Sequence, residues 1–266
     1  MLRFNKRPQK IFLGSALGWL LAIFIIPLAV WGFIKSGVFL PNLNSGLVGY
    51  WTMNGSDINW STGVLTDKSG NGNNGQFVGV STTTSPIAGQ AGSALKFNGS
   101  ARYVNAGNAS ALNSVSSFTM SFWGKRNVSG GIVIISKITD ADNRINIGPW
   151  SDGLVYFNVS NGGAAWGTVS SNDTKWHLYT MVFDGSQSGN SNRLKGYIDG
   201  ALQSLTFAGA SIAATTANIS GNLEIGHLNL APGYNSNGII DDVRLWNRSL
   251  TAAEVLQLYN SYNMTG

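Results

Sequence analysis

Short segments that alternate apolar and polar residues recur along the chain from residue 47 to residue 246. The segments at 118–125 (FTMSFWGK) and 176–184 (WHLYTMVFD) are the clearest. A period of two is typical of a strand with one buried face, and the Gly, Asn, Asp and Ser clusters between segments are typical of turns. The pattern predicts strands at 47–53, 93–97, 102–104, 118–125, 132–137, 144–148, 154–159, 176–184, 194–198, 203–207, 223–226 and 238–246.

Turn and cap signals complete this pattern. The Asn-Gly pair at 98–99 and the Asp-Gly pair at 199–200 predict hairpins, because both dipeptides tolerate positive φ. One segment is typical of a helix, since Thr251 and Glu254 form a capping box. Its predicted apolar face is Val255, Leu256 and Tyr259. The sequence therefore predicts an all-β fold, a two-sheet antiparallel sandwich with one short C-terminal helix.

An uncharged apolar run of 24 residues occupies positions 11–34. About 20 apolar residues span the core of a bilayer, and the apolar part of a cleavable signal peptide has only roughly 7–15 residues. Four basic residues precede the run and one follows it, so the positive-inside rule predicts residues 1–10 in the cytoplasm. We expect a transmembrane signal anchor at 11–34, a linker at 35–45 and an extracellular domain. The alternative is a signal peptide cut within 32–45, which secretes the same domain.

Composition and charge exclude several classes of function. Of 266 residues only 11% are charged and none is cysteine, so disulfides, thiolate metal sites and cysteine nucleophiles are excluded. The net charge of +5 comes from five basic residues within the first 45 positions, and the remainder of the chain is neutral. The basic character therefore belongs to the N-terminal tail, and we expect no nucleic-acid partner.

A series of motifs resembles one known family. The motifs are LVGYW (47–51), DKSGNGNNG (67–75), GSALKFNGSARYVNAG (92–107), SFTMSFWGK (117–125), KWHLYTMVFDG (175–185), GYIDGAL (196–202) and IIDDVRLWNRSLTAAEVLQLY (239–259). In this order they resemble LamG-like jelly-roll domains, which belong to the concanavalin A-like lectin/glucanase group. The resemblance covers residues 46–262 and implies that the sandwich is a jelly roll.

Members of this family bind glycans, bind proteins or hydrolyse glucans, and the residues argue against hydrolysis. Glycoside hydrolysis usually needs two carboxylates that face the sugar, and the family's glucanases carry Glu-x-Asp-x-x-Glu on one strand. This chain has two glutamates only, Glu224 and the capping residue Glu254. Its two histidines, His177 and His227, belong to separate predicted strands and supply no zinc site. We expect that the protein is not an enzyme.

Side-chain oxygens cluster in the loop at 67–75, which contains Asp67 and Asn71. Calcium is bound by six to eight oxygen ligands, as such a loop could provide. In related jelly rolls a structural calcium lies between an early loop and an aspartate at the start of the last strand, and Asp241 matches that aspartate. The resemblance implies a structural calcium at Asp67, Asn71 and Asp241. The alternative is an Asx turn at Asp67 and a cap or backbone hydrogen bond at Asp241.

A second group of polar residues, Asp140, Asp142 and Asn143, resembles the acidic calcium loops of pentraxins, which are distant relatives. Those proteins need a second acidic loop, and the matching segment here, HLNLAPGYN at 227–235, has no carboxylate. We therefore expect an ordinary hairpin turn at 140–143.

Tryptophans fall into two groups. Trp60, Trp150 and Trp166 lie in Gly-, Ser- and Asn-rich stretches outside the family motifs and are the predicted ligand-binding residues. The alternative is that each of them anchors its loop by packing. The flat face of an exposed tryptophan can stack on the C–H groups of a sugar. The tryptophans inside the motifs are predicted to pack in the core: Trp51, Trp123, Trp176 and Trp246.

These observations predict a membrane-anchored, extracellular, non-catalytic recognition module that binds a glycan or a glycosylated surface. The alternative is a structural or adhesive cell-surface protein that binds another protein and has no sugar site. If Trp60, Trp150 and Trp166 surround one groove, the sugar-binding interpretation is favoured. If they are scattered, the alternative is favoured.

Overall fold

The computed structural model describes residues 42–79, 86–128, 131–230 and 234–263. The predicted membrane span at 11–34 lies outside these ranges. Within them, no helix is long and apolar enough to cross a bilayer. The described residues from Leu43 onward belong to one compact unit, and that unit carries the site described below.

The described residues form twenty strands and two α-helices. The strands are β1 Leu47–Trp51, β2 Ile58–Asn59, β3 Val64–Leu65, β4 Gly75–Val78, β5 Ile87–Ala88, β6 Ser93–Asn98, β7 Tyr103–Asn105, β8 Ser117–Arg126, β9 Ile135–Asp140, β10 Asn143–Pro149, β11 Leu154–Asn161, β12 Ala165–Ser170, β13 His177–Asp184, β14 Leu194–Ile198, β15 Ala201–Leu202, β16 Thr206–Gly209, β17 Leu223–Ile225, β18 His227–Leu228, β19 Tyr234–Asn235 and β20 Asn237–Trp246. The helices are α1 Asn190–Arg193 and α2 Ala252–Asn263.

Two large antiparallel sheets form the sandwich. The eight-stranded sheet has the order β15-β14-β13-β8-β20-β6-β5, and β1 pairs with β20. The ten-stranded sheet has the order β16-β12-β11-β10-β9-β17-β7-β4-β3-β2. Strands β18 and β19 form a separate antiparallel pair. The all-β sandwich with a short C-terminal helix is therefore confirmed.

The main core lies between the two large sheets. Alternate residues of each strand point inward, such as Phe122 and Met181 on the eight-stranded sheet and Ile147 and Phe157 on the ten-stranded sheet. Gly196 on β14 is required by this packing, because a Cβ there would lie 2.7 Å from the ring of Phe157. The alternation seen in the sequence thus identifies the core face of both sheets.

A second core lies on the other face of the eight-stranded sheet, which α2 covers. Trp123 and Trp246 pack there against Val255 and Leu258 of the helix. This second layer explains why β8 and β13 are buried on both faces. Leu256 was predicted to join the buried face of α2 and is instead 48% exposed. Val255 and Leu258 are three residues apart and therefore share the buried side of the helix. Leu256 lies about 100° from Val255 around the helix axis, so its side chain faces away from this side.

Local turn signals have mixed outcomes. The capping box is confirmed, because the Thr251 amide donates to Glu254 Oε2 at 2.7 Å and the Glu254 amide donates to Thr251 Oγ1 at 3.3 Å. The hairpin at 199–200 joins β14 to β15 and is also confirmed. The hairpin predicted across 93–104 is wrong, since β6 pairs with β20 while β7 pairs with β4 and β17. The chain crosses here from one sheet to the other. This crossing depends on strands that are distant in sequence and pair with β6 and β7.

Candidate functional site

The outer face of the ten-stranded sheet, opposite the core, carries a row of polar residues. Four residues of β10 and β11 point into the main core: Ile145, Ile147, Val155 and Phe157. The residues that alternate with them on these strands therefore face outward. The strand register then aligns one outward residue from each of six neighbouring strands. These residues are Asn105, Glu224, Ser136, Asn146, Asn158 and Trp166.

A pocket of about 200 Å³ opens beside this row. It is lined by Arg144, Asn146, Trp150, Tyr156, Asn158, Leu228, Leu230 and Tyr234, and we call it the aromatic pocket. Trp150 follows β10, and its amide donates to the carbonyl of Leu154 across the loop that joins β10 to β11. Its ring centroid lies 4.7 Å from that of Tyr234 and 6.0 Å from that of Tyr156. The ring of Trp150 therefore contacts two tyrosine rings at the pocket.

The aromatic pocket also contains polar side chains, namely two amides, a tyrosine hydroxyl and a guanidinium. The side chains of Asn146 and Asn158 are buried on adjacent strands in direct register. The Tyr156 hydroxyl donates to Asp152 Oδ2 at 2.8 Å, and burial together with Asp152 raises the pKa of Tyr156 to about 12. Tyr156 is therefore neutral at physiological pH. Desolvation by burial lowers the pKa of Arg144, whose guanidinium still remains charged.

The three predicted tryptophans do not all lie together. Trp150 lines the aromatic pocket. Trp166 faces outward on β12 directly opposite Asn158, so it lies on a strand of the same face and not in a loop as predicted. Trp60 packs against Phe77 and the main core next to β2, at the opposite edge of the sheet from β12. Two of the three thus belong to one surface, and of the three Trp150 alone lines the pocket, so they do not surround one groove as the sugar-binding interpretation expected.

Sequence reasoning missed Arg144, Asn146, Tyr156 and Asn158 as parts of the site. Each is the outward residue of an alternating strand, and that signal is visible in the segments at 144–148 and 154–159. Pairing these two segments as a hairpin across the short loop that contains Trp150 would have placed the outward residues side by side. Alternation identifies the face of each residue, whereas the register decides which residues are neighbours.

A histidine and a glutamate lie on the same outer face. His227 Nδ1 lies 2.8 Å from Glu224 Oε2, and its ring stacks on Tyr103 with a centroid separation of 4.8 Å. The backbone carbonyl of His227 accepts a hydrogen bond from Ser136. Glu224 therefore interacts with His227. The other glutamate, Glu254 in the first turn of α2, forms an ion pair with Arg248. The two glutamates serve separate parts of the fold.

Asp67 is a saturated acceptor in its loop. Its Oδ1 accepts from the amides of Tyr50 and Ser69, each at 2.9 Å. Its Oδ2 accepts from the Asn73 amide at 2.9 Å and the Ser69 hydroxyl at 2.8 Å. Four donors surround a carboxylate that is only 7% exposed. This set of partners is that of an Asx turn, and it does not fit a calcium ligand.

Asp241 differs because one of its oxygens has no partner. Its Oδ2 accepts from the amides of Gln90 and Ala91 at 2.7 and 3.0 Å. Its Oδ1 is buried without a hydrogen bond among the described residues. Burial raises the pKa of Asp241 to about 7. An orphaned, fully buried carboxylate oxygen fits a cation ligand.

The three predicted calcium ligands are not brought to one point. Asn71 donates from its side-chain Nδ2 to the backbone carbonyl of Leu47, at the start of β1. Since Leu47 pairs with Trp246 and the other end of β1 pairs with Val243, Asn71 and Asp241 lie toward opposite ends of this strand pair. Among the residues that the structure describes, no group of three or more His, Asp or Glu side chains could share a metal ion.

The acidic segment at 140–143 forms the turn between β9 and β10, as expected. Asp140 Oδ1 accepts from the Asp142 amide at 2.8 Å and from the Asn143 side chain at 3.0 Å. Both hydrogen bonds lower the pKa of Asp140, the one from the Asn143 side chain more than the one from the Asp142 amide. All these partners belong to the turn. Asp140 thus stabilises a hairpin turn.

His177 is held between two aspartates at the start of β13. Its Nδ1 lies 2.7 Å from Asp199 Oδ2, and its Nε2 lies 3.0 Å from Asp173 Oδ1. The hydrogen bond with Asp199 is the largest cause that raises the pKa of His177, and burial opposes it. Both ring nitrogens are engaged, so His177 links β13 to the turn at 199–200.

We expect the stability of the domain to decline as pH rises through the folded-state pKa of His177. Because this pKa lies above the unfolded value of about 6.5, the stabilisation is complete below that value and is lost at higher pH. His177→Gln should remove a pH-dependent contribution of about 1 kcal/mol. Urea denaturation of both proteins across this pH range measures it. Parallel stability profiles for the two proteins would contradict the prediction.

Comparison with known proteins agrees with the architecture. The family model described as the Concanavalin A-like lectin/glucanases superfamily matches residues 98–256. A sialidase of Trypanosoma rangeli, solved with 2,3-difluorosialic acid, is 18% identical with a TM-score of 0.58 and covers 86% of this chain. A structure concerned with botulinum neurotoxin type C and its interaction with two ganglioside molecules is 18% identical with a TM-score of 0.55, over 83% of this chain.

A third similar structure is a single domain. Domain 4 of a GH43 extracellular arabinanase from Geobacillus stearothermophilus, in complex with arabinotriose, is 17% identical with a TM-score of 0.53. The match covers 80% of this chain and 98% of that domain. By contrast, the chain matches 34% of the sialidase and 52% of the toxin structure. At these identities the likeness shows the fold alone.

No curated protein matches the chain. The family match, however, covers more than half of its length and includes the strands that build the aromatic pocket. The match runs from the last residue of β6 into α2. The chain therefore belongs to the concanavalin A-like lectin/glucanases superfamily.

Proposed function

We propose that this protein is a membrane-anchored, extracellular, non-catalytic carbohydrate-binding module whose sugar site is the aromatic pocket. The observation that carries the proposal is the contact of Trp150, Tyr156 and Tyr234 around a pocket that also contains two buried side-chain amides. Ligand sites of proteins typically combine aromatic walls with a few fixed polar groups. The composition of this pocket has that character.

The chemistry of a sugar ring matches these groups. Its C–H face is apolar and can stack on an aromatic ring, while its hydroxyls both donate and accept hydrogen bonds. Asn146 and Asn158 each carry a side-chain amide with N–H donors, and the Asn158 Oδ1 already accepts the Ser160 hydroxyl at 2.7 Å. Their register on β10 and β11 holds the two amides next to each other. Trp166, opposite Asn158 on the neighbouring strand, extends the surface along the sheet.

The non-catalytic part of the proposal rests on the carboxylates. Retaining and inverting glycosidases use a pair of carboxyl groups, about 5–5.5 Å or about 6.5–9.5 Å apart, on either side of the scissile bond. The described residues that line the aromatic pocket include no Asp or Glu. Asp152 lies near the rim but accepts the Tyr156 hydroxyl. Binding without hydrolysis is the activity that this lining supports.

The membrane part of the proposal rests on the sequence. The uncharged run at 11–34 is long enough for a bilayer, and the basic residues before it favour a cytoplasmic N-terminus. The sandwich then lies outside the cell, where glycans are displayed. All three similar structures have a sugar or a sugar derivative named with them, difluorosialic acid, gangliosides and arabinotriose, and this supports a glycan as the partner.

We further propose a structural calcium ion at Asp241. The loop at 89–93 lies against both Asp241 and Asn54, since Gln90 donates to Asp241 and Ser93 donates to Asn54 Oδ1. Asp241 Oδ1 and backbone carbonyls of this loop are the oxygens that would hold the ion, because Asn54 Oδ1 already accepts from the amide and the hydroxyl of Ser93. A bound calcium would neutralise the buried carboxylate and connect the loop to β20. Asp67 and Asn71 are not part of this set.

Trp150→Ala should weaken glycan binding by at least about tenfold, because it removes an aromatic wall of the pocket. The full chain, kept in a detergent without a sugar headgroup, is screened on a glycan array, and the best-bound glycan is titrated by calorimetry. Trp60→Ala is the matched control, since it makes the same change at the opposite edge of the sheet, and should leave affinity within about twofold.

The controls separate binding from folding. Thermal melting must show that both variants are folded before affinities are compared. Equal affinities of wild type and Trp150→Ala would exclude the aromatic pocket as the sugar site. An array without signal for the folded wild type would contradict the proposed function and favour the structural or adhesive alternative.

A further inference from the structure

Arg144 is the one charged residue among the described residues that line the aromatic pocket. It lies on β10 two residues before Asn146, so both side chains face the same way. Its Nε is buried and has no hydrogen-bond partner. No described carboxylate forms an ion pair with it. The guanidinium therefore faces a ligand pocket with its charge unpaired.

Other buried or half-buried arginines of the described chain are engaged through their guanidinium groups. Arg126 donates to the carbonyls of Ser171 and Trp150, and Arg244 pairs with Asp242. These partners are fixed parts of the fold. Arg144 lacks such a partner, although desolvation of a charge is costly unless it is compensated. Its position is that of a group whose partner arrives with a ligand.

Neighbouring acidic residues do not supply that partner. The nearest in sequence, Asp142, accepts the Ala164 amide through Oδ1 at 3.0 Å. Asp152, in the loop between β10 and β11, accepts the hydroxyl of Tyr156. Burial lowers the pKa of Arg144, and the charge of Asp142 opposes this effect. No hydrogen bond or ion pair with Asp142 is present among the described residues, so the charge of Arg144 is compensated only in part.

We propose that the glycan bound in the aromatic pocket carries an anionic substituent, a carboxylate or a sulfate ester, and that Arg144 binds it. This inference rests on the proposed function. Arginine presents several N–H donors in a planar fork that matches two oxygens of one anionic group. The aromatic rings contact the sugar ring, and Arg144 selects the charge. A site built in this way discriminates against the neutral analogue, because that analogue leaves Arg144 desolvated and unpaired.

The test uses two matched pairs of probes with the full chain. One pair is trigalacturonic acid and its methyl ester, and the other is a sulfated galactan tetrasaccharide and its desulfated form. We expect wild type to bind at least one anionic probe about tenfold to a hundredfold more tightly than its neutral partner. Arg144→Gln should remove this preference, and Arg144→Lys should retain part of it. The pair that shows the preference identifies the anionic group.

A control variant separates recognition from general electrostatics. Lys195→Gln removes one positive charge from β14 on the other sheet and should leave the preference unchanged. Equal affinity for charged and neutral members of both pairs would overturn the inference, while persistent neutral-glycan binding that depends on Trp150 would leave the proposed function intact. An Arg144→Gln variant that is folded and keeps the preference would also overturn it. Absence of binding to any glycan would contradict both proposals.

Discussion

Asp67→Ala is expected to lower the free energy of unfolding by about 3–5 kcal/mol, because it leaves several donors without their charged acceptor. Asp67 accepts the amides of Tyr50, Ser69 and Asn73. The first of these belongs to β1, and the others belong to the loop that follows β3. The same loop accepts the indole N–H of Trp51 at the Asn73 carbonyl. Loss of the carboxylate therefore loosens the loop and its contact with the core.

Asp140→Ala is the matched control for this change. Asp140 also accepts an amide two residues ahead, but it lies in an exposed turn and all its partners belong to that turn. We expect a loss far smaller than that of Asp67→Ala, because water can replace the partners of an exposed carboxylate. Chemical denaturation of the three proteins, with a common slope, measures both values. A loss at Asp67 as small as that at Asp140 would contradict the structural role assigned to Asp67.

Calcium is expected to stabilise the wild-type protein by about 2.7 kcal/mol at a hundredfold excess over its dissociation constant. The expectation follows from Asp241 Oδ1, which is buried and unpartnered among the described residues, while Oδ2 is held by the 89–93 loop. The proposed ion would bind the folded state through this oxygen and would gain little from the unfolded chain. Asp241→Asn keeps the shape of the side chain and should abolish the calcium-dependent increase in stability.

Thermal melting with calcium, with magnesium and with a chelator makes this measurement. Magnesium should give a much smaller increase, because it requires near-octahedral geometry and dehydrates reluctantly. Asp67→Ala should keep the calcium response even though it is less stable, since the Asp67 oxygens are already occupied by donors. A wild-type melting curve that calcium does not move would contradict the proposed ion. A response lost in Asp67→Ala would return Asp67 to the ligand set.

Local signals in the sequence predicted several parts of the fold correctly. The alternating segments placed most long strands and their core faces, as on β8, β10 and β13. The Asp-Gly pair at 199–200 and the Thr251–Glu254 capping box are made by neighbouring residues, and both are confirmed. These features depend on contacts within a few residues, so no information from elsewhere in the chain was needed.

The candidate site was predicted only in part. Trp150 was identified because an aromatic residue in a glycine-rich stretch is conspicuous, and Trp166 was identified on the same ground although it lies on a strand. Trp60 met the same criterion and packs at the other edge of the sheet. Composition of a segment indicates that a ring could be exposed. It carries no information on which rings share a surface.

By itself, the sequence determined the strand pattern, the helix cap, the family and the segments from which a site could be built. The tertiary structure alone decided that β6 and β7 belong to different sheets and that Asn146 and Asn158 are neighbours. It also decided that Asp67 is saturated while Asp241 keeps an oxygen without a partner in the described chain. The reason is physical: strand register, burial and hydrogen-bond satisfaction depend on residues far apart in sequence, and their positions exist only in the packed sandwich.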